Sequence, residues 1–436
     1  MDSSARVPDN PRRVDQARIF RSARSVVCPR ALLRRRHGVA CTDVSRPTCI
    51  LTCLATLAAV GCQDKPVRVV SKAKPAPTAE WSIFRGDPSL RGIAPGQLSS
   101  KPELAWKFET KDAVTSSPVV VNGTVFVGSG DGFVYAVDLA SGKEIWKFKT
   151  DDLVEAPPLV HKGHVYVGSA DFFLYALDAV SGKLLWKFET GDKILGSANW
   201  MRDVNGKTRI LVGSYDNKLY CFDQDGKKLW DYTTDNYVNG TPAILADRVV
   251  FGGCDAVLHV VSATKGKAIM KLRLGDDCHV AGSVALADGK AFFGHYGNEF
   301  VCVDLDEGKQ VWSYPSRQYA FFSSPAVLAD RVVFGGRNKK VHCVRRDNGK
   351  QIWTFPTKRK VDGSPVVCGD KVVVGSGDGR LYLLALADGK ELWNYEIGRP
   401  IVSSPAVAQG MIVVGANDNR LWAFRAAPKA GKRQGE

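Results

Sequence analysis

Three short clusters of cysteine, histidine and aspartate stand out in the second half of this 436-residue chain. They are Cys254-Asp255, Asp276-Asp277-Cys278-His279 and His295-Tyr296. Thiolate and imidazole are ligands that Zn²⁺ prefers, so the two cysteines and two histidines could hold a metal ion. In an oxidising compartment, Cys254 and Cys278 could instead form a disulfide. Unrelated loop residues are the third interpretation; we predict no metal site and keep the disulfide as a hypothesis.

The sequence offers no combination of side chains that is typical of an enzyme. No Ser/His/Asp set and no paired-carboxylate signal can be separated from a repeated pattern. The glycine-rich stretch 128–132 is not followed by a helical pattern, which a phosphate-binding loop requires. We therefore predict no catalytic residue and no cofactor.

Aromatic and arginine side chains gather in predicted loops away from the repeated turns. Such side chains are enriched at protein interfaces and carry much of their binding energy. We hypothesise a partner-binding face that contains Trp200, Tyr237, Arg317, Tyr319, Phe321 and Arg337. Ordinary solvated loops are the alternative interpretation.

A repeat of about forty residues must position all of these side chains. A Gly-Lys pair recurs at intervals of 40 to 44 residues, at Gly142, Gly182, Gly226, Gly266, Gly308, Gly349 and Gly389. Three residues after each of these lysines stands a tryptophan, except at Met270, and a further tryptophan opens the series. The tryptophans are Trp106, Trp146, Trp186, Trp230, Trp312, Trp353 and Trp393. We predict that they pack between neighbouring repeat units, because a large aromatic can fill the gap between stacked units.

Each unit contains four short apolar runs, which in the first unit are 117–121, 125–128, 133–137 and 144–148. Runs of this length separated by Gly, Asn, Asp and Ser predict strands, and four strands per unit are typical of a β-propeller blade. We predict an all-β fold: one eight-bladed β-propeller of four-stranded antiparallel blades over residues 81–425. The last unit lacks its fourth strand, and the run 104–108 is a strand of that type without a unit. We expect this N-terminal strand to close the ring and remove its free edge.

The leader, residues 1–61, has a different composition. Residues 1–62 hold eleven Arg, no Lys and four Asp, and residues 49–60 form an apolar run that is too short to span a bilayer. This run fits the apolar core of a secretory signal. Because it begins unusually late, our hypothesis is that residues 1–43 precede the true start codon. Residues 62–80 contain three prolines and no aromatic residue, which predicts a flexible tether, and residues 426–436 form a basic tail.

Two resemblances follow from these patterns. Ala59-Val60-Gly61-Cys62 resembles the lipobox of bacterial lipoproteins, which implies lipidation of Cys62. The units, such as Asp138-Leu139-Ala140-Ser141-Gly142-Lys143-Glu144-Ile145-Trp146, resemble the PQQ-like β-propeller repeat over residues 81–425. In layout, the chain is most similar to BamB-type outer-membrane assembly lipoproteins.

The resemblance implies a non-catalytic protein-binding scaffold: an outer-membrane lipoprotein that faces the periplasm and binds protein partners in the cell envelope. The alternative is a PQQ-dependent dehydrogenase, or a degenerate relative, with PQQ and Ca²⁺. Those enzymes carry an adjacent Cys-Cys pair, which this chain lacks. We predict no nucleic-acid partner, because about half of the net charge of +15 lies in the leader.

Overall fold

The computed structural model describes residues 80–427 as strands, turns and loops, with no helix among them. No helix in this part of the chain is therefore long and apolar enough to cross a membrane. The predicted leader, the lipidation site Cys62, nearly all of the predicted tether and most of the basic tail lie outside the described residues.

Thirty-three strands occupy the described residues. Before the first blade come β1 (Ile93–Ala94) and β2 (Pro102–Glu109). Blade 1 is β3 (Val119–Val121), β4 (Thr124–Gly128), β5 (Phe133–Asp138) and β6 (Glu144–Lys149). Blade 2 is β7 (Leu159–His161), β8 (His164–Gly168), β9 (Phe173–Asp178) and β10 (Leu184–Glu189). Blade 3 is β11 (Asn199–Arg202), β12 (Thr208–Ser214), β13 (Lys218–Asp223) and β14 (Lys228–Thr233). Blade 4 is β15 (Ala243–Leu245), β16 (Arg248–Gly252), β17 (Val257–Ser262) and β18 (Ala268–Arg273).

The second half of the ring repeats the pattern. Blade 5 is β19 (Ala285–Ala287), β20 (Lys290–Gly294), β21 (Glu299–Asp304) and β22 (Lys309–Pro315). Blade 6 is β23 (Ala326–Val327), β24 (Arg331–Gly336), β25 (Lys340–Arg345) and β26 (Gln351–Pro356). Blade 7 is β27 (Val366–Cys368), β28 (Lys371–Gly375), β29 (Arg380–Ala385) and β30 (Glu391–Glu396). Blade 8 contains β31 (Ala406–Ala408), β32 (Met411–Ala416) and β33 (Arg420–Ala426).

The eight-bladed propeller predicted from the sequence is confirmed. Each blade is an antiparallel sheet of four strands, and the short β1 adds to blade 7 by pairing in parallel with β27. The fourth strand of blade 8 is β2, which pairs with β33 so that Trp106 lies opposite Ala423. The N-terminal strand therefore closes the ring, as expected for a sheet that must not leave a free edge.

Two faces of the ring follow from this topology. We call the loop face the end that carries the loops between the second and third strands and the loops that lead into each blade's first strand. The turn face is the opposite end, where the first-to-second and Gly-Lys turns lie. The first strands of successive blades contact one another around the central axis.

Six of the repeated tryptophans join their blade to the next one at the turn face. The Trp146 indole N–H donates to the Ala179 carbonyl at 3.1 Å, and the ring covers Gly182 of the following Gly-Lys turn. A Cβ on Gly182 would lie 2.6 Å from Trp146 Cδ2, and its φ is +69°. Only glycine tolerates both the positive φ and the closeness of the tryptophan ring. The same N–H to carbonyl bond joins Trp106 to Leu139, Trp186 to Gln224, Trp230 to Ala263, Trp312 to Arg346 and Trp353 to Leu386.

A second set of glycines joins the blades nearer the loop face. A Cβ on Gly128, the last residue of β4, would lie 2.4 Å from a methyl group of Val154, which precedes blade 2. One apolar side chain fills this position in every blade, and all eight are fully or almost fully buried: Val114, Val154, Ile194, Val238, Val280, Phe321, Val361 and Ile401. The glycine ending the second strand thus makes room for the next blade.

The segment 81–95 crosses the central channel along the first strands of the blades. Its carbonyls accept hydrogen bonds from Val120, Val160, Ile244, Leu286, Val327 and Val367, which are residues of those strands. Arg85 is 1% exposed, and its Nη2 donates to the Pro325 carbonyl at 3.1 Å and also to the Pro365 carbonyl. Burial lowers the pKa of Arg85 to about 9. On blade 3, Asn199 Nδ2 donates to the Pro88 carbonyl at 2.8 Å, so the segment contacts seven blades in all.

Candidate partner-binding face

A shallow funnel opens from the channel onto the loop face. Its cavity is about 250 Å³, and Phe84 of the crossing segment contributes to its lining. A ring of hydroxyl groups surrounds it, because the backbone N–H of one blade donates to a serine or threonine oxygen of the next. The bonds run from Ser197 to Thr241, Thr241 to Ser283, Ser283 to Ser324, Ser324 to Ser364, Ser364 to Ser404 and Ser404 to Ser117. The ring is interrupted at Pro157 of blade 2, which has no hydroxyl.

One stack of aromatic side chains lies beside the funnel between blades 3 and 4. The ring of Tyr237 stacks on that of Tyr215, with centroids 4.8 Å apart and planes at 18°. The Lys193 ammonium, on the loop that enters blade 3, lies 4.7 Å from the Tyr215 centroid. Burial raises the pKa of Tyr215 to about 12, so its hydroxyl stays protonated at neutral pH. Tyr237 remains 43% exposed and is available to a partner.

A second stack lies between blades 5 and 7. The rings of Tyr296 and Phe322 are 4.5 Å apart, and the Arg337 guanidinium lies 3.7 Å from the Phe322 centroid. Arg337 Nε donates to Asp362 at 3.1 Å, which holds the guanidinium plane against the ring. Exposed Tyr296 and half-buried Arg337 therefore form a surface ordered before any partner arrives.

Four of the six residues predicted for the partner-binding face lie on the loop face. Tyr237 and Arg337 belong to the two stacks, and Arg317 and Tyr319 lie exposed on the loop that enters blade 6. Phe321 does not belong there: it is fully buried as the apolar side chain that packs on Gly294. Its neighbour Phe322 points to the funnel instead.

Trp200 also lies elsewhere. It sits on the first strand of blade 3 and stacks on His161 at 3.8 Å, lining a groove of about 660 Å³ at the turn face. Burial lowers the pKa of His161 to about 4. The prediction of a loop position was wrong because β11 begins at Asn199, so Trp200 belongs to the strand that leaves the loop face.

The cysteine and histidine clusters are not joined in the structure. Cys254 and Cys278 are free thiols, so the proposed disulfide is not formed. Cys254 accepts a hydrogen bond from Asn239 Nδ2 at 3.0 Å, whereas Cys278 lies near Gly297 and His295 in a separate cavity of about 280 Å³. Within residues 80–427, no three His, Cys, Asp or Glu side chains are placed to hold a metal ion.

The sequence analysis did not predict that Tyr215 and Asp362 contribute to the two stacks of the loop face. A signal for Asp362 was present in the repeat. Two positions before the residue of the hydroxyl ring, the type of residue changes from blade to blade. The residues on either side of this position stay apolar or small. In chain order, this rim consists of Thr115, Glu155, Leu195, Asn239, Ala281, Phe322, Asp362 and Val402.

Comparison with known proteins identifies the family. The model described as outer membrane protein assembly factor BamB matches residues 101–204, 196–318, 255–339 and 337–433. The chain belongs to this family. The predicted resemblance to PQQ-like, BamB-type propellers is therefore confirmed. No curated protein sequence matches the chain.

Solved structures similar to this family member include both assembly factors and enzymes. BamB from Moraxella catarrhalis is 18% identical, with a TM-score of 0.62, covering 77% of this chain and 99% of that one. A europium-containing methanol dehydrogenase is 15% identical, with a TM-score of 0.66, over 80% and 98% of the two chains. The quinohemoprotein alcohol dehydrogenase of Comamonas testosteroni is 16% identical, with a TM-score of 0.67, over 83% of each chain. At these identities the likeness shows the fold alone.

The funnel residues do not fit the quinone and Ca²⁺ that the enzyme branch implies. The cavity of about 250 Å³ is smaller than the roughly 300–1,000 Å³ usual for ligand pockets. Its acidic lining consists of Glu155 and Asp362, and Asp362 is already paired with Arg337 and Lys360. Calcium requires six to eight oxygen ligands, which this lining does not converge to supply.

Proposed function

We propose that the chain is a non-catalytic protein-binding scaffold of the cell envelope that contributes to outer-membrane protein assembly. The observation that carries this proposal is the loop face, where exposed aromatic and arginine side chains are stacked in place. Tyr and Arg held rigidly lose little conformational entropy on binding, which is why they dominate interface energies. Family membership supports the same role.

The anchor belongs to this proposal. Lipidation of Cys62 after removal of residues 1–61 would attach the propeller to the outer membrane through the segment 62–80, with residues 81–425 in the periplasm. One acyl chain gives only marginal membrane binding, so stable attachment needs the several chains of a lipoprotein or a second contact. Replacement of Cys62 by serine is the direct test of attachment, because the protein would then leave the membrane fraction.

The competing proposal is a quinone-dependent dehydrogenase or a degenerate relative, which the likeness to two dehydrogenase structures favours. The size and lining of the funnel weigh against it. Titration with the quinone and Ca²⁺ in a calorimeter separates the two proposals. Tight stoichiometric binding would overturn the scaffold proposal.

The partner face is tested by capture from detergent-solubilised membranes. The variant Tyr237→Ala/Tyr296→Ala removes one exposed ring from each stack and should lower recovery of β-barrel assembly components by about tenfold or more. The matched control, Ile145→Ala/Val180→Ala, removes two exposed apolar side chains beside the turn-face groove and should capture as the parent does. Equal recovery with all three proteins would contradict a loop-face partner site.

A further inference from the structure

The charges on the loop face are divided between its two halves. The loops that enter blades 2, 4 and 5 carry exposed aspartates, which are Asp151, Asp152, Asp235, Asp276 and Asp277. Besides Lys360, which pairs with Asp362, the exposed bases on the loops that enter blades 6, 7 and 8 are Arg317, Lys358, Arg359 and Arg399. We call the first set the acidic crescent and the second the basic crescent.

The backbone under the basic crescent is held by hydrogen bonds. Lys358 N donates to Asp378 Oδ2 at 2.9 Å, and the Thr357 hydroxyl donates to the Arg359 carbonyl at 2.6 Å. The Lys360 carbonyl accepts from Gly377 N at 2.9 Å. The loop entering blade 7 therefore presents its bases from a fixed backbone.

The four bases of the crescent differ from their neighbours in having no ion-pair partner in the described part of the chain. Arg337 and Lys360, which lie next to them, share Asp362 at 3.1 and 2.7 Å. Among residues 80–427, none of the four bases of the crescent forms such an ion pair. Their charges are therefore available to an external group, and Phe322 and the exposed Tyr319 lie on the same loop as Arg317.

We infer that the basic crescent binds an acidic polypeptide segment of the partner, with an apolar or aromatic residue of that segment against Phe322 and Tyr319. This inference rests on the proposed function, and it names the chemistry of the partner at the same face. Complementary charge of this kind steers association and fixes orientation, and its contribution falls with salt.

The acidic crescent explains why a polypeptide is favoured over an anionic membrane or a nucleic acid. Either of those carries negative charge across its whole surface, so it would meet Asp151, Asp152 and Asp277 as it approached the bases. Like charges brought together across an interface cost several kcal/mol. A protein segment with localised acidic residues can contact the basic crescent while leaving the acidic one free.

The test uses a fluorescent peptide of alternating Glu and Tyr and measures anisotropy with the full propeller. Binding should weaken about tenfold or more in the variant Lys358→Glu/Arg359→Glu/Arg399→Glu, and also for the parent at about 1 M salt, where the Debye length is about 3 Å. The control Lys143→Glu/Lys183→Glu/Lys267→Glu reverses three exposed lysines of the turn face and should bind as the parent does. Circular dichroism checks that each variant is folded.

The outcomes separate the inference from the proposed function. If the parent captures assembly components but does not bind the peptide, or binds it as well after charge reversal, the acidic-segment inference is wrong and the scaffold proposal stands. If the parent binds the peptide but captures no assembly component, the scaffold proposal fails by itself. Stronger binding of vesicles containing anionic lipid than of the peptide, abolished by the same reversal, would replace the polypeptide with a membrane surface.

Discussion

The repeated glycines of the turn face are set by the tryptophan of the preceding blade. At Gly182, the positive φ and the ring of Trp146 both oppose a side chain. At Gly163, in a neighbouring turn of the same blade, φ is +77° but no atom lies within 4 Å of the position a Cβ would take. The two sites therefore separate backbone strain from steric overlap with the tryptophan ring.

We predict that Gly182→Ala destabilises the propeller more than Gly163→Ala. Both variants incur the left-handed backbone cost of about 1–2 kcal/mol, and Gly182→Ala adds an overpacking cost of about 1–3 kcal/mol. The midpoints of urea unfolding measure both. Equal midpoints for the two variants would show that the tryptophan does not constrain the turn.

The contact between blades 4 and 5 differs from the contacts between the other neighbouring blades. Met270 stands on β18 where the other blades have tryptophan, and its Sδ lies 3.0 Å from the position of a Cβ on Gly308. Blade 5 still offers glycine in the turn and, at Leu305, the carbonyl that corresponds to those bonded to indoles elsewhere. The site for a tryptophan is therefore retained without its occupant.

We predict that Met270→Trp stabilises the protein by about 1 kcal/mol. The indole would bury more apolar area and could donate its N–H to the Leu305 carbonyl, as Trp230 does to Ala263 one blade earlier. Differential scanning calorimetry should show a higher Tm. A lower Tm would mean that the blades have closed around the smaller side chain.

For the whole molecule, stability depends on closing the ring. β2 supplies the outer strand of blade 8, and the segment 81–95 bonds to blades 1 to 7 across the channel. Removing both leaves an open sheet edge and strips the first strands of their partners.

We predict that a chain beginning at Lys111 loses the cooperative unfolding transition, whereas a chain beginning at Glu80 keeps the transition of the full-length protein. Both truncations remove residues 1–79. The chain that begins at Glu80 therefore measures the effect of losing that region by itself, and the difference between the two chains measures the effect of losing residues 80–110. Thermal melts followed by circular dichroism measure the effect. An unchanged melting temperature in the shorter chain would disprove closure by β2.

The regular part of this molecule followed from the sequence because repeats carry local information. The spacing of Gly-Lys turns and tryptophans predicted the blade, the number of blades and the origin of the closing strand. The buried apolar position that includes Phe321 was present in the same repeat. Phe321 was assigned to the surface as an aromatic residue of a predicted loop, and alternation along the chain separates it from Phe322 only once the register is known.

The partner-facing surface was decided by the tertiary structure. Tyr215 and Tyr237, or Tyr296 and Phe322, come from different blades, and the distances between them depend on how neighbouring blades pack. The division of the loop face into acidic and basic crescents likewise appears only when consecutive loops are arranged around one axis. Trp200 shows the same limit, since one strand boundary moved it to the opposite end of the ring. Local patterns specify a blade because its strands are neighbours in sequence, whereas contacts among loops of separate blades exist only after the ring has closed.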